Sequence, residues 1–194
     1  MLLLRKMSRN YKCTNNCCSI EIAEPSFHLV RRPRRGYCRK AGVFIYDPEE
    51  ERVLLVQSRG NLWGPPKGTL EVDINETSCQ CAVREVKEET GLEIKAEDFS
   101  RAVKIKNRAI YYYTERKMEP VHIQMEQEDN DANGITWIKL SCLEECIKSG
   151  HIILNQHCKM VLKKFIGQEY PKTDFIKVKH RRRKLPKCRE NQFL

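Results

Sequence analysis

Residues 76–91 read ETSCQCAVREVKEETG, and the way this stretch folds decides how the chain around it is organised. Thr77 or Ser78 can cap a first helical turn, Cys81, Ala82 and Val86 follow at helical spacing, and Gly91 stands where helices commonly end. The spacing predicts a helix of about four turns. Glu85, Glu88 and Glu89 are related by i, i+3 and i+4, which sets their Cβ atoms ~5–6 Å apart on one face. Carboxylates crowded in this way repel one another unless a positive group sits among them. A ligand set made only of oxygens suits hard ions such as Mg²⁺ or Mn²⁺, which keep waters and substrate phosphate in their shells. Arg84 meets Glu88 at i+4, and its rigid fork suits a carboxylate held in one orientation. Val83 and Val86 point toward a core. Taken alone, EVKEE also fits a salt-bridged surface helix.

Upstream, residues 62–68 (LWGPPKG) hold two prolines and two glycines in seven positions, which predicts an ordered loop or an irregular extended stretch and rules out a helix. Before it, residues 41–47 (AGVFIYD) and 52–58 (RVLLVQS), joined by PEEE, read as a hairpin of two strands. Beyond the helix, residues 104–114 (KIKNRAIYYYT), 121–126 (VHIQME) and 134–140 (GITWIKL) read as further strands. Residues 143–166 read as one helix interrupted at Ser149 and Gly150, or as two helices. This order, with 194 residues to fold, predicts a single domain built as a layered α/β or α+β sandwich.

Charge is divided unevenly. Residues 1–40 carry net +8 and residues 177–194 carry net +7, so the chain between them holds −5 of a total of +10. An acidic core with two basic arms is expected, one around Arg31, Arg32, Arg34 and Arg35, the other around Arg181, Arg182, Arg183 and Lys184. Such arms are either solvated tails or segments that bind phosphates or direct nuclear import. No apolar run approaches the ~20 residues of a membrane helix.

Ten cysteines in a chain of this size would suit a disulfide framework, but MLLLRKMSRN does not read as a secretory signal. A reducing compartment, cytoplasm or nucleus, is the expectation. Cys13, Cys17 and Cys18, followed by His28 and Cys38, are candidate zinc ligands, although C-x3-CC lacks the paired C-x2-C spacing that makes such a site legible. Cys79 and Cys81 read as small apolar packing groups on the helix.

The run from residue 68 to 92, GTLEVDINETSCQCAVREVKEETGL, resembles the signature of the Nudix hydrolases, G-x5-E-x7-R-E-U-x-E-E-x-G-U with U aliphatic. Glu76, Arg84, Glu85, Val86, Glu88, Glu89, Gly91 and Leu92 all fall in place. Gly68 stands two residues farther from Glu76 than the pattern asks, so an insertion in the loop is expected and the position of Glu76 depends on it.

The resemblance implies an α+β fold, a Nudix-type α/β/α sandwich with a mixed sheet, in residues 41–168, flanked by a basic cysteine-containing extension (1–40) and a basic tail (169–194). It implies hydrolysis of a diphosphate linkage with Mg²⁺ or Mn²⁺ as cofactor. Glu85 and Glu89 are then metal ligands, Glu88 a ligand or the group that activates water, and Arg84 their orienting partner. Glu76, the backbone carbonyl of Gly68 and Asp131 are further candidates for the metal site. The approach WGPPKG resembles the mRNA-decapping branch and also the branch acting on diphosphoinositol polyphosphates. Capped RNA is the favoured substrate, with Lys67 contacting phosphate, Trp63 or one of Tyr111, Tyr112 and Tyr113 stacking a base, and the basic arms binding RNA. For the tyrosines, strand packing is the competing expectation. Free nucleotides, dinucleoside polyphosphates and diphosphoinositol compounds are the alternative substrates. A non-catalytic RNA- or protein-binding module is the alternative of another class, and the retained cluster of repelling carboxylates weighs against it.

Overall fold

One mixed sheet, with apolar layers on both faces, organises the computed structural model, which describes residues 8–23, 39–58, 61–106, 108–124 and 132–170. The strands are β1 (Ser8–Lys12), β2 (Ser19–Ala23), β3 (Lys40–Asp47), β4 (Arg52–Ser58), β5 (Leu62–Gly64), β6 (Lys67–Thr69), β7 (Arg101–Ile105), β8 (Ala109–Glu115), β9 (Gly134–Lys139) and β10 (Ile153–Leu154). The helices are α1 (Ser78–Thr90), α2 (Leu140–Lys148) and α3 (Gln156–Ile166). Strand order is β1-β2-β9-β4-β3-β8-β7, with β6 on β3, β5 on β4 and β10 on β5.

The hairpin of β3 and β4 pairs only at Tyr46 with Val53 and Asp47 with Arg52, and then splays. β4 continues against β9 and β5, whereas β3 continues against β6 and, in parallel, β8 from Lys40 opposite Ala109 to Tyr46 opposite Glu115. Segment 62–69 therefore bridges the divergence, with β5 on one side and β6 on the other. β3 and β4 are buried along nearly their whole length, as β-branched and aliphatic strands covered on both faces should be. On one face, Val43, Ile45, Leu54 and Val56 pack against Cys81, Ala82 and Val86 of α1. On the other, Phe44, Val53, Leu55 and Trp63 pack against Leu143 of α2 and Val161 and Leu162 of α3. The result is the expected α/β/α sandwich.

α1 owes its ends to local chemistry. Thr77 Oγ1 accepts from Gln80 N–H at 3.2 Å while Gln80 Oε1 accepts from Thr77 N–H at 2.9 Å, a reciprocal capping box. At the other end Gly91, at φ +77°, donates its N–H to Lys87 O at 2.9 Å.

Several sequence expectations change. Residues 104–114 are not one strand: Lys106 enters the left-handed region at φ +50° and Arg108 N–H returns to Ile105 O, which divides the run into β7 and β8. Residues 121–124 form no strand, and the segment just before them is instead tied to the domain by Met118 N–H on Asp47 and Trp137 Nε1–H on Glu119 O. Leu140 opens α2 rather than closing β9, and residues 62–69 hold two short strands. The basic N-terminal region is not wholly an extension, because β2 pairs with β9 through Ile20, Glu21 and Ile22 and carries β1 with it. Ile20 and Ile22 turn one face of β2 to the core layer of α2 and α3, and Ala23 turns to the layer of α1. Among the described residues, no helix is long and apolar enough to cross a membrane.

Candidate active site

Arg84, on the exposed side of α1, is the hub of the acidic helix. Its Nε donates to Glu76 Oε1 at 2.7 Å and its Nη2 to Glu76 Oε2 at 3.0 Å, so the guanidinium grips that carboxylate with two parallel bonds. Nη1 donates to Glu85 Oε1 at 3.0 Å and to Glu88 Oε2 at 2.9 Å, and Nη2 also reaches Thr69 O at 3.2 Å. One cation thus hydrogen-bonds three carboxylates and stands 4.0 Å from a fourth, Glu71. The Arg84 fork holds the Glu76 carboxyl below its usual range against the opposing effect of burial, with Glu71 N–H adding to the depression, and Glu76 in turn raises the Arg84 pKa.

The two-residue excess between Gly68 and Glu76 is absorbed outward. Residues Val72–Ile74 form a 3-10 turn closed by Asn75 in the left-handed conformation at φ +54°, and Val72 and Ile74 project into solvent. Glu71 N–H and Glu76 Oε2 join at 2.9 Å across the base of this bulge. The insertion leaves Glu76 against Arg84, with only 4% of its side chain exposed.

Glu85 and Glu89, one turn apart, face β6. Glu85 lies so close to the backbone that a Cβ on Gly68 would come within 1.7 Å of its Oε1. Glu89 is 2% exposed and accepts Lys67 N–H on Oε2 at 2.8 Å. The carboxylates divide into two groups: Glu76 and Glu88 clamp Arg84, while Glu85, shared between the groups, joins Glu89 along the backbone of residues 67 and 68. The donor set at β6 is entirely oxygen, which fits a hard divalent cation. The glycine at 68 is what admits the Glu85 carboxylate to this edge.

The remaining sequence candidates fall as follows. Lys67 is half-buried on β6 beside the acidic pair. Trp63 is fully buried between the sheet and α3, so its expected role in stacking a substrate base is withdrawn: Asn155 N–H bonds Trp63 O at 2.9 Å and β10 covers the strand. Tyr111 and Tyr113 are core residues, and Tyr112 stacks on Phe99 with ring centroids 4.7 Å apart, so the tyrosines pack the sheet. Asp131, Arg31, Arg32, Arg34, Arg35, Arg181, Arg182, Arg183 and Lys184 lie outside the described residues. Thr69 O was not legible as a partner of Arg84, because a backbone acceptor leaves no mark in the sequence.

An acidic helix locked by one arginine and set against a glycine-bearing strand defines the class. The NUDIX domain profile matches residues 36–153, and the chain belongs to the NUDIX family. It is 34% identical over 134 residues to "Putative hydrolase 111R" of Invertebrate iridescent virus 3, covering 67% of this chain and 77% of that protein. Among solved structures it is similar to a MutT/nudix family protein from Enterococcus faecalis (24% identity, 54% of this chain and 44% of that one, TM-score 0.42). It is also similar to the E. coli dihydroneopterin triphosphate pyrophosphohydrolase (19% identity, 68% and 98%, TM-score 0.47). This chain spans less than half the length of the Enterococcus protein.

Proposed function

We propose that this protein hydrolyses the diphosphate linkage of a capped RNA 5′ end, with Mg²⁺ or Mn²⁺ held by Glu85 and Glu89 at the backbone of Gly68. The observation that supports the reading is the Glu85–Gly68 approach, a carboxylate pressed against a strand edge whose neighbouring Lys67 N–H is held by Glu89. When bound, the ion neutralises the diphosphate and acidifies a water. Glu88, about one-third exposed and tethered to Arg84, would be the carboxylate that accepts a proton from the attacking water. Arg84 fixes the carboxylates, and Lys67 binds a phosphate oxygen at the same edge.

RNA is favoured over a free nucleotide by the charge of the chain. A polyanion is drawn to the basic segments at residues 1–40 and 177–194, and each Lys or Arg that neutralises a phosphate adds salt-dependent affinity. The test is a panel of cap-labelled RNA, free nucleotides, dinucleoside polyphosphates and diphosphoinositol polyphosphates, run with each metal. Release of the labelled cap nucleotide, falling steeply with salt, is expected. Stronger turnover of the small substrates, with no preference for RNA, would transfer the assignment to them. RNA binding without turnover of any substrate would indicate a binding module.

A further inference from the structure

The thiols left unassigned by the acidic site converge elsewhere in the fold. Cys13, Cys17 and Cys18 belong to the turn between β1 and β2, and Cys142 lies in the first turn of α2. Their four Sγ atoms all lie within 4.8 Å of one another, with separations of 3.6 Å (Cys13–Cys17), 3.6 Å (Cys17–Cys18), 3.4 Å (Cys17–Cys142) and 3.9 Å (Cys13–Cys142). All four are free cysteines. A tetrahedron of sulfurs bound at ~2.3 Å to a central zinc has edges of ~3.8 Å, close to the spacing found.

Packed neutral thiols would also touch at such distances, but as weak acceptors they have less need of converging donors. Here Cys18 N–H points to Cys13 Sγ at 3.2 Å, Lys139 N–H to Cys18 Sγ at 3.3 Å, and Asn15 Nδ2 to Cys142 Sγ at 3.5 Å. The buried Arg52 adds a charged donor, Nη1 to Cys18 Sγ at 3.4 Å, while its Nη2 donates to Cys17 O at 2.9 Å. A thiol is a weak acceptor; a metal-bound thiolate is a strong one. Four thiolates on one divalent ion leave net −2, which the Arg52 guanidinium partly offsets inside the protein. The turn is shaped for this by Asn16, at φ +56°, whose N–H returns to Cys13 O at 2.8 Å, and by Cys13 N–H on Cys18 O at 3.1 Å.

We propose that Cys13, Cys17, Cys18 and Cys142 form a structural zinc site that fastens the β1–β2 hairpin to α2. Soft sulfur ligands separate it from the all-oxygen site on α1. Four protein ligands leave no open position on the metal, so the site staples rather than catalyses. The hairpin needs such a staple, since β1 is exposed along its whole length and β2 meets the sheet at three residue pairs.

The experiment uses the full chain purified under reducing conditions, with metal content measured after dialysis against EDTA, followed by acid stripping and titration with Co²⁺. About one zinc per chain and the intense visible bands of tetrahedral cobalt thiolate are expected. Cys142→Ser and Cys17→Ser should cut retained zinc at least tenfold, whereas Cys79→Ser, on α1, should retain it. If the serine variants fail to fold, the cobalt titration of the unaltered chain still decides. Folded protein without zinc and without cobalt bands would overturn the site, and so would an intact mass lower by two hydrogens from a disulfide among these four residues.

Discussion

Lys67 and Glu89 are joined by a 2.8 Å hydrogen bond from the Lys67 backbone N–H to Glu89 Oε2, which ties β6 to α1 across 22 residues of sequence. Because the donor belongs to the backbone, no substitution at position 67 except proline removes it, and the carboxylate keeps its place whatever side chain stands there. Glu89→Gln keeps the volume but replaces one oxygen with a donor. Hydrolysis should fall at least ~100-fold, since loss of an outer partner of a metal ligand already costs 10–100-fold. Circular dichroism should match the parent, and undiminished turnover would remove Glu89 from the site.

Gly68→Ala tests the same edge from the other side. The added Cβ would stand 1.7 Å from Glu85 Oε1, so the carboxylate must swing away, a rotation that a partly exposed side-chain end can make without disturbing the core. Activity should be lost while the thermal midpoint changes little. Parent-like activity in this variant would show that the Glu85–Gly68 contact is not part of the site.

Arg84→Lys retains the charge and discards the fork. The two parallel bonds to Glu76, together with those to Glu85, Glu88 and Thr69 O, cannot all be made by one ammonium. A loss of about 1–3 kcal/mol in urea unfolding is expected from carboxylates left without donors. Turnover should fall in parallel, and metal should bind more weakly. Equal stability and metal affinity in the variant would reduce Arg84 to a surface ion pair.

Asp47 gives the domain an acid limit. Burial pushes its carboxyl up, but the N–H groups of Met118, Glu50 and Glu49, helped by Lys117, prevail and hold it below the ordinary value. A carboxyl depressed in the native state stabilises it above the unfolded pKa of about 3.9, and that contribution disappears as pH falls through the native value. Asp47→Asn has one acceptor oxygen for donors that approach Oδ1 and Oδ2 separately, so it should lose about 1–3 kcal/mol near neutral pH. The difference between parent and variant should shrink in acid. A constant difference from neutral pH into acid would remove Asp47 as the titrating group.

What the sequence disclosed follows the range of the forces involved. Thr77 caps α1 against Gln80 three residues on, and Gly91 closes it against Lys87 four residues back, so the limits of α1 were readable, and so was the i+4 partnership of Arg84 with Glu88. The grip of Arg84 on Glu76 was not readable, and neither was the outward 3-10 turn that preserves it, because composition does not say which way an insertion bulges. Trp63 was misjudged for a similar reason. A tryptophan among glycines and prolines suggests exposure, yet β10, some 90 residues later, closes over it. Cys142 stood too far from Cys13, Cys17 and Cys18 to complete a recognisable spacing, and only the pairing of β2 with β9 brings the turn and α2 together.

The partnership of Ile20 with Thr136 also has a meaning in time. A ribosome adding ~5–20 residues per second needs roughly 6–23 s to pass from one strand to its partner. Throughout that interval the β1–β2 turn emerges with three thiols and no sheet to dock on. The β1–β2 hairpin, synthesised well before the strand it docks on, is among the last pieces to reach its native neighbours.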